Sequence, residues 1–386
     1  MDSALQQMTD RVRAAAANGT PLRIRGGGSK DFFGQSLQGE LLDTTPLRGI
    51  ASYEPSELVV TARAGTPLRE LEAVLAEQGQ CLPFEPPHFA LQTTAYSTVG
   101  GMVAAGLSGP ARASVGGVRD YMLGVEILNG RAEHLTFGGQ VMKNVAGYDV
   151  SRLMAGSMGT LGLITEVSLK VLPVAPAEAT LVFELDQAEA LAQLHRWGAQ
   201  PLPLNASCWV QEDAASGQPG RLYVRLRGAI AAVESASKNM VQQAAGKRID
   251  NAVALPDWQA CRDLRLPFFA TPPQPDMALW RLSVAQTAPP LNLPWPQLVE
   301  WHGGLRWLWA PLEAATLVRD AAVQAGGHAT VFIADYANPT RARGQFDAFF
   351  ALKAPLDGIH RRLKAEFDPA GIFNRGRLYP DLDARP

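Results

Sequence analysis

Cysteine is scarce. The 386 residues include 3, Cys81, Cys208 and Cys261. They are too far apart for a disulfide framework or for a local motif that binds zinc or an iron–sulfur cluster. Histidine is sparse and scattered: the 6 residues, at 88, 134, 195, 302, 328 and 360, form no pair at close metal-ligand spacing. Neither sign of charge dominates, since 35 basic and 37 acidic side chains leave −2. Nucleic acid as the main partner is excluded, because phosphate binding leaves a Lys/Arg surplus. The same balance supplies no self-repulsion to keep the chain alone, so a permanent partner is compatible with it. Long apolar runs are missing too. The longest uncharged stretch, Phe89–Ala111, carries Gln92 and is broken by Gly100, Gly101, Gly106 and Gly109, which is wrong for a membrane helix. Met1–Ala17 holds Asp2, Asp10, Arg11 and Arg13, unlike a signal peptide. The expectation is a cytoplasmic protein that meets a membrane only through a partner. Tryptophan is absent before position 197 and then occurs 8 times.

What is present is a chain able to bury sizeable cores. Apolar residues make up 47% and charged residues 19%, too greasy for disorder, and the length suits two or three domains. Leu5–Ala17 reads as a helix stopped by Asn18-Gly19. Pro21–Arg25 reads as a strand running into Gly26-Gly27-Gly28-Ser29-Lys30. A second strand, Glu57–Ala64, is β-branched enough to be buried. Thr66 as N-cap and Pro67 at the first helical position then predict a helix over 67–78, with Leu68, Leu71, Val74 and Leu75 on one face. From Thr98 to Gly162 glycine is dense. Strand-like runs, Leu123–Leu128 and Leu163–Leu172, sit inside that region, so it is no linker. It reads as a packed domain whose backbone lies close against a large ligand. Pro173–Pro176 marks a boundary, beyond which glycine thins and tryptophan begins.

Successive glycines at 26–28 let backbone N–H groups converge on an anion, and Ser29 and Lys30 add donors. The spacing is neither a Walker loop nor the dinucleotide fingerprint. The motifs that follow are Ala64-Gly65-Thr66-Pro67-Leu68, Thr98-Val99-Gly100-Gly101-Met102, Gly117-Val118-Arg119-Asp120, Lys143-Asn144-Val145-Ala146-Gly147-Tyr148-Asp149, Gly156-Ser157-Met158-Gly159-Thr160-Leu161-Gly162-Leu163-Ile164-Thr165, and Asp368-Pro369 with Gly371 and Asn374. In this order, together with Arg25–Lys30, they resemble FAD-linked oxidases of the vanillyl-alcohol oxidase type. The resemblance covers about residues 20–173 and 350–380. Leu82–His88, Gly138–Asn144 and Gly303–Trp307 are similar to the branch of FAD-binding subunits of bacterial glycolate oxidases.

The resemblance implies an α+β fold: a two-subdomain FAD-binding part over 1–175, a separate α+β cap over 176–345, and a return to the FAD-binding part over 346–386. It implies FAD, with the pyrophosphate on Arg25, Gly26, Gly27, Gly28, Ser29 and Lys30. Thr98, Gly100 and Gly101 would lie against the flavin. Gly159 and Ile164 would offer backbone groups, and Pro83, Ala105, Gly106 and Ser108 would complete the site. Relatives that bind flavin covalently do so through a His in the first loop; Ser29 and Lys30 stand there, so non-covalent FAD is implied. The His-rich metal motif of the related 2-hydroxy-acid dehydrogenases is missing, and no metal is expected. The implied activity is oxidation of glycolate, and of D-lactate, to the 2-oxo acid, beside a second FAD subunit and an iron–sulfur subunit. The alternative is a flavin-bearing or structural subunit that supports a sister catalytic chain.

Arg306, within Trp301–Trp307, could pair a substrate carboxylate or stack on tryptophan as a structural side chain. His328 could act as a base or serve as a hydrogen-bonded structural histidine. Lys143, Asn144, Tyr148 and Asp149 could line the pocket or cap their own turn. Trp295, Trp301, Trp307 and Trp309 lie close together and are expected to anchor an interface.

Overall fold

The computed structural model describes residues 3–35, 38–89, 95–139, 149–211, 219–336 and 346–380. The chain divides into two units. The first comprises 1–107, 117–173 and 342–386, and the second 108–116 and 174–341.

The first unit is built on an antiparallel five-stranded sheet in the order Ile50–Glu54, Val59–Arg63, Leu163–Lys170, Met122–Leu128, His134–Gly138. The helix Leu68–Glu77 lays Leu68, Leu71 and Leu75 into a core with Val60, Ala62, Val167 and Leu169, as the helical spacing predicts. Its start differs from expectation. The N-cap is Pro67, without a side-chain cap bond. Thr66 Oγ1 instead accepts from Gly49 N–H at 2.9 Å and reaches Gly49 O at 3.1 Å. A buried hydroxyl with a backbone pair at hand has no need of the helix end.

A second core in this unit joins the two ends of the chain. The helix Ser3–Asn18 contributes Met8 and Val12, the parallel pair Leu22–Arg25 and Glu40–Asp43 contributes Leu22 and Leu42, and the C-terminal return contributes Ile372 and Phe373. Burying side chains of the last kind contributes roughly 2–3 kcal/mol each. The return follows the helix Leu356–Phe367. Lys364 Nζ donates at 2.8 Å to Asp368 Oδ2, Thr160 O and Phe373 O. Asp368 in turn accepts from the backbone N–H of Ile372 at 3.0 Å and Phe373 at 2.8 Å.

The second unit is an eight-stranded antiparallel sheet. Its order is Lys247–Ile249, Ala177–Glu184, Arg221–Gly228, Leu204–Val210, Gln297–Glu300, Leu305–Pro311, Met277–Ser283, His328–Ile333. One face carries Ala179, Leu181, Phe183, Leu222 and Val224 and packs on the helices Gln187–Gly198 and Ile230–Ala244. Strand register puts Thr180, Arg225, Tyr223, Cys208, Glu300, Trp307, Arg281 and Thr330 on the other face. Trp258, from the helix Asn251–Arg262, caps part of it by donating to Thr180 Oγ1 at 3.0 Å. Of the four tryptophans expected at an interface, Trp301, Trp307 and Trp309 are at most 5% exposed and are used within the chain, as are Trp197, Trp209, Trp258 and Trp280, while Trp295 is half-buried. Among the described residues no helix is long and apolar enough to cross a membrane.

Removing one partner of a buried ion pair strands the other charge. Asp368→Ala is therefore expected to destabilise the first unit by roughly 3–5 kcal/mol, read by urea denaturation with circular dichroism. Lys364→Met combined with Asp368→Leu is expected to regain most of that loss. A loss below about 1 kcal/mol in the single variant would show that the pair does not organise the return.

Candidate functional site

The strand Leu22–Arg25 delivers the chain into the Gly26–Lys30 loop. Arg25 Nε donates to Asp31 Oδ2 at 2.7 Å and steadies the base of the loop. Lys30 Nζ donates to Ser97 Oγ at 2.9 Å and Ser29 Oγ at 3.1 Å. The loop lies against a second segment, with Tyr96 N–H donating to Gly27 O at 3.0 Å. A Cβ on Gly26 would overlap Thr98 Oγ1, and one on Gly27 would overlap Tyr96 O. Gly28 has φ +79, where side chains strain the backbone. The N–H groups of Gly26 and Gly27 make no hydrogen bond among the described residues. A side-chain-free run with unengaged N–H groups beside an ammonium suits an anion such as a pyrophosphate.

Thr98 caps the helix Val99–Ala105 by accepting from Gly101 N–H at 3.2 Å. Gly100 N–H donates to Ala64 O at 2.8 Å, and a Cβ there would come within 2.7 Å of the Ala64 Cβ. From the C-terminal return, Asn374 accepts from Ile24 N–H at 2.8 Å and donates to Met158 O at 2.6 Å. Arg377 Nη2 donates to Lys30 O at 3.0 Å and Nη1 to Gln35 O at 2.8 Å. The loop is thus held by residues almost 350 positions away in the chain.

One cleft in the first unit is lined by Arg25, Gly26, Gly27, Gly28, Ser29, Lys30, Thr98, Gly100, Gly101, Ala105, Gly159 and Ile164. Pro83, Gly106 and Ser108 are not among its lining residues. Gly106 is the left-handed C-cap of the helix, φ 65, packed against Gly156. Ser108 belongs to the second unit. Ile24, Asp31, Tyr96, Met158, Asn374 and Arg377 also line the cleft. Sequence reasoning left them out of the site, although the motif of Asp368-Pro369 with Gly371 and Asn374 contained one of them. Lys143, Asn144 and Tyr148 lie outside the described residues. Asp149 caps the helix Val150–Met154 through Arg152 N–H.

The two expected catalytic residues are in the second unit, on opposite faces of its sheet. Arg306 pairs with Leu282, and His328 pairs with Ser283; neighbouring strand positions point oppositely. Arg306 is engaged with backbone carbonyls through two of its nitrogens, while Nη1 is buried without a partner among the described residues. Fully buried, it donates from Nε to Gly303 O at 2.9 Å and from Nη2 to Ala288 O at 3.1 Å, and burial lowers its pKa to about 10. His328 is exposed at its strand's start, and desolvation, then the Arg281 charge, lower its pKa.

Beside Arg306 the chain makes an unusual turn. Trp301, His302 and Gly303 have φ of 53, 55 and 102. His302 is held through both ring nitrogens, Nδ1 with Ser207 Oγ at 3.0 Å and Nε2 with Ser114 Oγ at 2.9 Å. Burial pushes its pKa down from 6.5 to about 4. The folded imidazole resists a proton that the unfolded one accepts. Its contribution to stability is therefore complete above pH 6.5 and lost as pH falls toward about 4. Linkage makes that loss about 3 kcal/mol. His302→Gln is expected to flatten this acid slope in urea titrations followed by tryptophan fluorescence, which reports on the second unit. An unchanged slope would show that another group sets it.

Residues 4–150 match the family model described as FAD binding domain. The chain is 43% identical over 378 residues to glycolate oxidase subunit GlcE of Escherichia coli, covering 98% of both proteins. It is 31% identical over 151 residues to a D-lactate dehydrogenase of Anaerostipes hadrus, which is 39% of this chain and 30% of that protein. Glycolate oxidase subunit GlcD of Bacillus subtilis is 30% identical over 144 residues, 37% of this chain and 30% of that one. Among solved structures, alkyldihydroxyacetonephosphate synthase superposes with TM-score 0.64 at 17% identity, covering 96% of this chain and 75% of its own, which establishes the α+β architecture of FAD-linked oxidases. The chain belongs to the glycolate oxidase subunit GlcE family and is an FAD-dependent oxidoreductase.

Proposed function

We propose that this chain is the FAD-binding subunit of a complex that oxidises glycolate, and D-lactate, to the 2-oxo acid. The observation that carries this reading is the loop at Gly26–Gly28, whose unengaged N–H groups and lack of Cβ suit a pyrophosphate, in a chain alike over 98% of its length to a glycolate oxidase subunit. FAD is held without a covalent bond by Arg25–Lys30, Thr98, Gly100, Gly101, Ala105, Gly159 and Ile164. Ser29 and Lys30 stand where a covalently linking histidine would be. When bound, FAD supplies the two-electron acceptor. The chain's own part is to hold the pyrophosphate by backbone N–H groups, to balance its charge with Lys30, and to keep the loop rigid through Asn374 and Arg377.

Residues 1–175 and 346–386 act as the FAD-binding part and 176–345 as the cap. Three scattered cysteines offer no cluster of their own. Electrons therefore pass to a separate iron–sulfur subunit, alongside a second FAD subunit, and the protein is cytoplasmic with membrane contact through that assembly. A second reading keeps the flavin but assigns turnover to the sister flavin subunit. The separation of Arg306 and His328 onto opposite faces favours it.

Gly27→Val places side-chain atoms where Tyr96 O already sits and is expected to lower flavin occupancy at least tenfold, read by absorbance of the purified chain. Full occupancy in that variant would remove the loop assignment. Acid precipitation is expected to release all flavin into the supernatant; yellow colour in the pellet would show a covalent link. Anaerobic glycolate is expected to bleach the bound flavin. Bound flavin that stays oxidised would favour the second reading.

A further inference from the structure

The second unit carries a pair of guanidinium groups with no counter-ion bonded to them among the described residues. Arg112, on the short helix Arg112–Val115, and Arg281, in the strand Met277–Ser283, both stack on the Trp301 indole, with Cζ 4.6 and 5.0 Å from the ring centroid. Neither guanidinium makes a hydrogen bond or ion pair among the described residues. Arg281 is set deep. Burial first, and then the like charge of Arg112, lower its pKa to about 10, while Glu300 acts in the opposite sense.

Specific contacts enforce this arrangement. Trp301 Nε1 donates to Gly109 O at 3.0 Å, and Ser114 Oγ meets His302 Nε2 at 2.9 Å, so that Ser108–Gly116 is docked on the turn. The turn itself holds two non-glycine residues, Trp301 and His302, at positive φ, a conformation that costs on the order of 1–3 kcal/mol each and persists where the surroundings impose it. Each guanidinium gains from the indole face, but the two like charges oppose each other, and an anion held between them would relieve that repulsion.

The local charge limits which anion. Glu300 is engaged on its far side, accepting from Trp307 Nε1 at 2.8 Å and from the Cys261 thiol at 3.4 Å. Burial pushes the His302 pKa down to about 4, which leaves it neutral at pH 7, and desolvation, then the Arg281 charge, lowers that of His328. Two arginines less one glutamate leave a single positive charge, which matches a monoanion better than a dianionic phosphate. Guanidinium forks match the planar, two-oxygen shape of a carboxylate. By strand register Thr330 sits opposite Arg281, and His328 lies on the same face.

We propose that Arg112 and Arg281, set on the Trp301 indole, form a binding site in the second unit for a small monocarboxylate. Only the identity of that anion as a 2-hydroxy acid rests on the function proposed above.

The test titrates the full chain with glycolate, and separately with inorganic phosphate, following tryptophan fluorescence; every tryptophan belongs to the second unit. Flavin content is measured on the same samples by absorbance. Saturable glycolate binding is expected, weakened at least tenfold in Arg281→Gln and in Arg112→Gln, with Arg281→Lys recovering only part of the loss. Arg112 is exposed, so its variant carries the test even if Arg281→Gln fails to fold. Flavin content is expected to be the same in wild type and in Arg112→Gln. No saturable response to glycolate, unchanged affinity in Arg112→Gln, or tighter binding of phosphate than of glycolate would each overturn the proposal. A chain that binds glycolate in this way but holds no flavin would refute the proposed function and leave the site standing.

Discussion

The buried Lys364 ammonium is the point on which the first unit is organised. Three of its contacts come from separate stretches: Asp368 on the same helix end, Thr160 in the glycine-rich Gly159–Ile164 segment, and Phe373 in the C-terminal return. Removing a cation from water costs several kcal/mol unless its protons are well placed, so these stretches are fixed together or not at all. Asn374 follows Phe373 directly and Arg377 follows three residues later. Their contacts to Ile24, Met158, Lys30 and Gln35 depend on that anchoring. The geometry of the pyrophosphate-type loop, near the start of the chain, is in this way set by its end.

A different constraint shapes the second unit. Its sheet has one face given to an apolar core and another bearing Arg225, Glu300 and Arg281. Charges on a half-buried sheet face persist when each is matched, and most are. Arg225 donates to Asn205 at 2.7 Å and stacks on Trp258, and Glu300 accepts from Trp307. The tryptophans serve as partners as much as fillers: four of their indole N–H groups reach Thr180, Glu300, Gly109 and Phe268. Seven buried indoles therefore do not mean seven interface anchors.

Both candidate sites rest on backbone in the left-handed region, reached by different means. At Gly28 the residue itself removes the cost. At Trp301 and His302 the surroundings impose the conformation, through Ser207, Ser114 and Gly109. The first kind is visible in a sequence because glycine marks it; the second is not, because any residue can be forced there by its neighbours.

That distinction runs through the whole protein. The sequence by itself determined the helix at 68–77, the strands entering both glycine-rich turns, the loop at Gly26–Lys30 and the family, because each rests on local spacing, on glycine's freedom, or on ordered motifs. It did not reveal that Thr66 would bond Gly49 rather than cap a helix, since that contact joins two bends 17 positions apart in the chain. Nor did it separate Arg306 from His328. Twenty-two positions apart in the chain, they fall on opposite faces only because strand register, set by pairing with Met277–Ser283, decides which way each points. Tertiary structure alone brought Arg112 across more than 160 residues to share one indole with Arg281. No spacing rule records such a meeting, because packing and not sequence distance determines which side chains become neighbours.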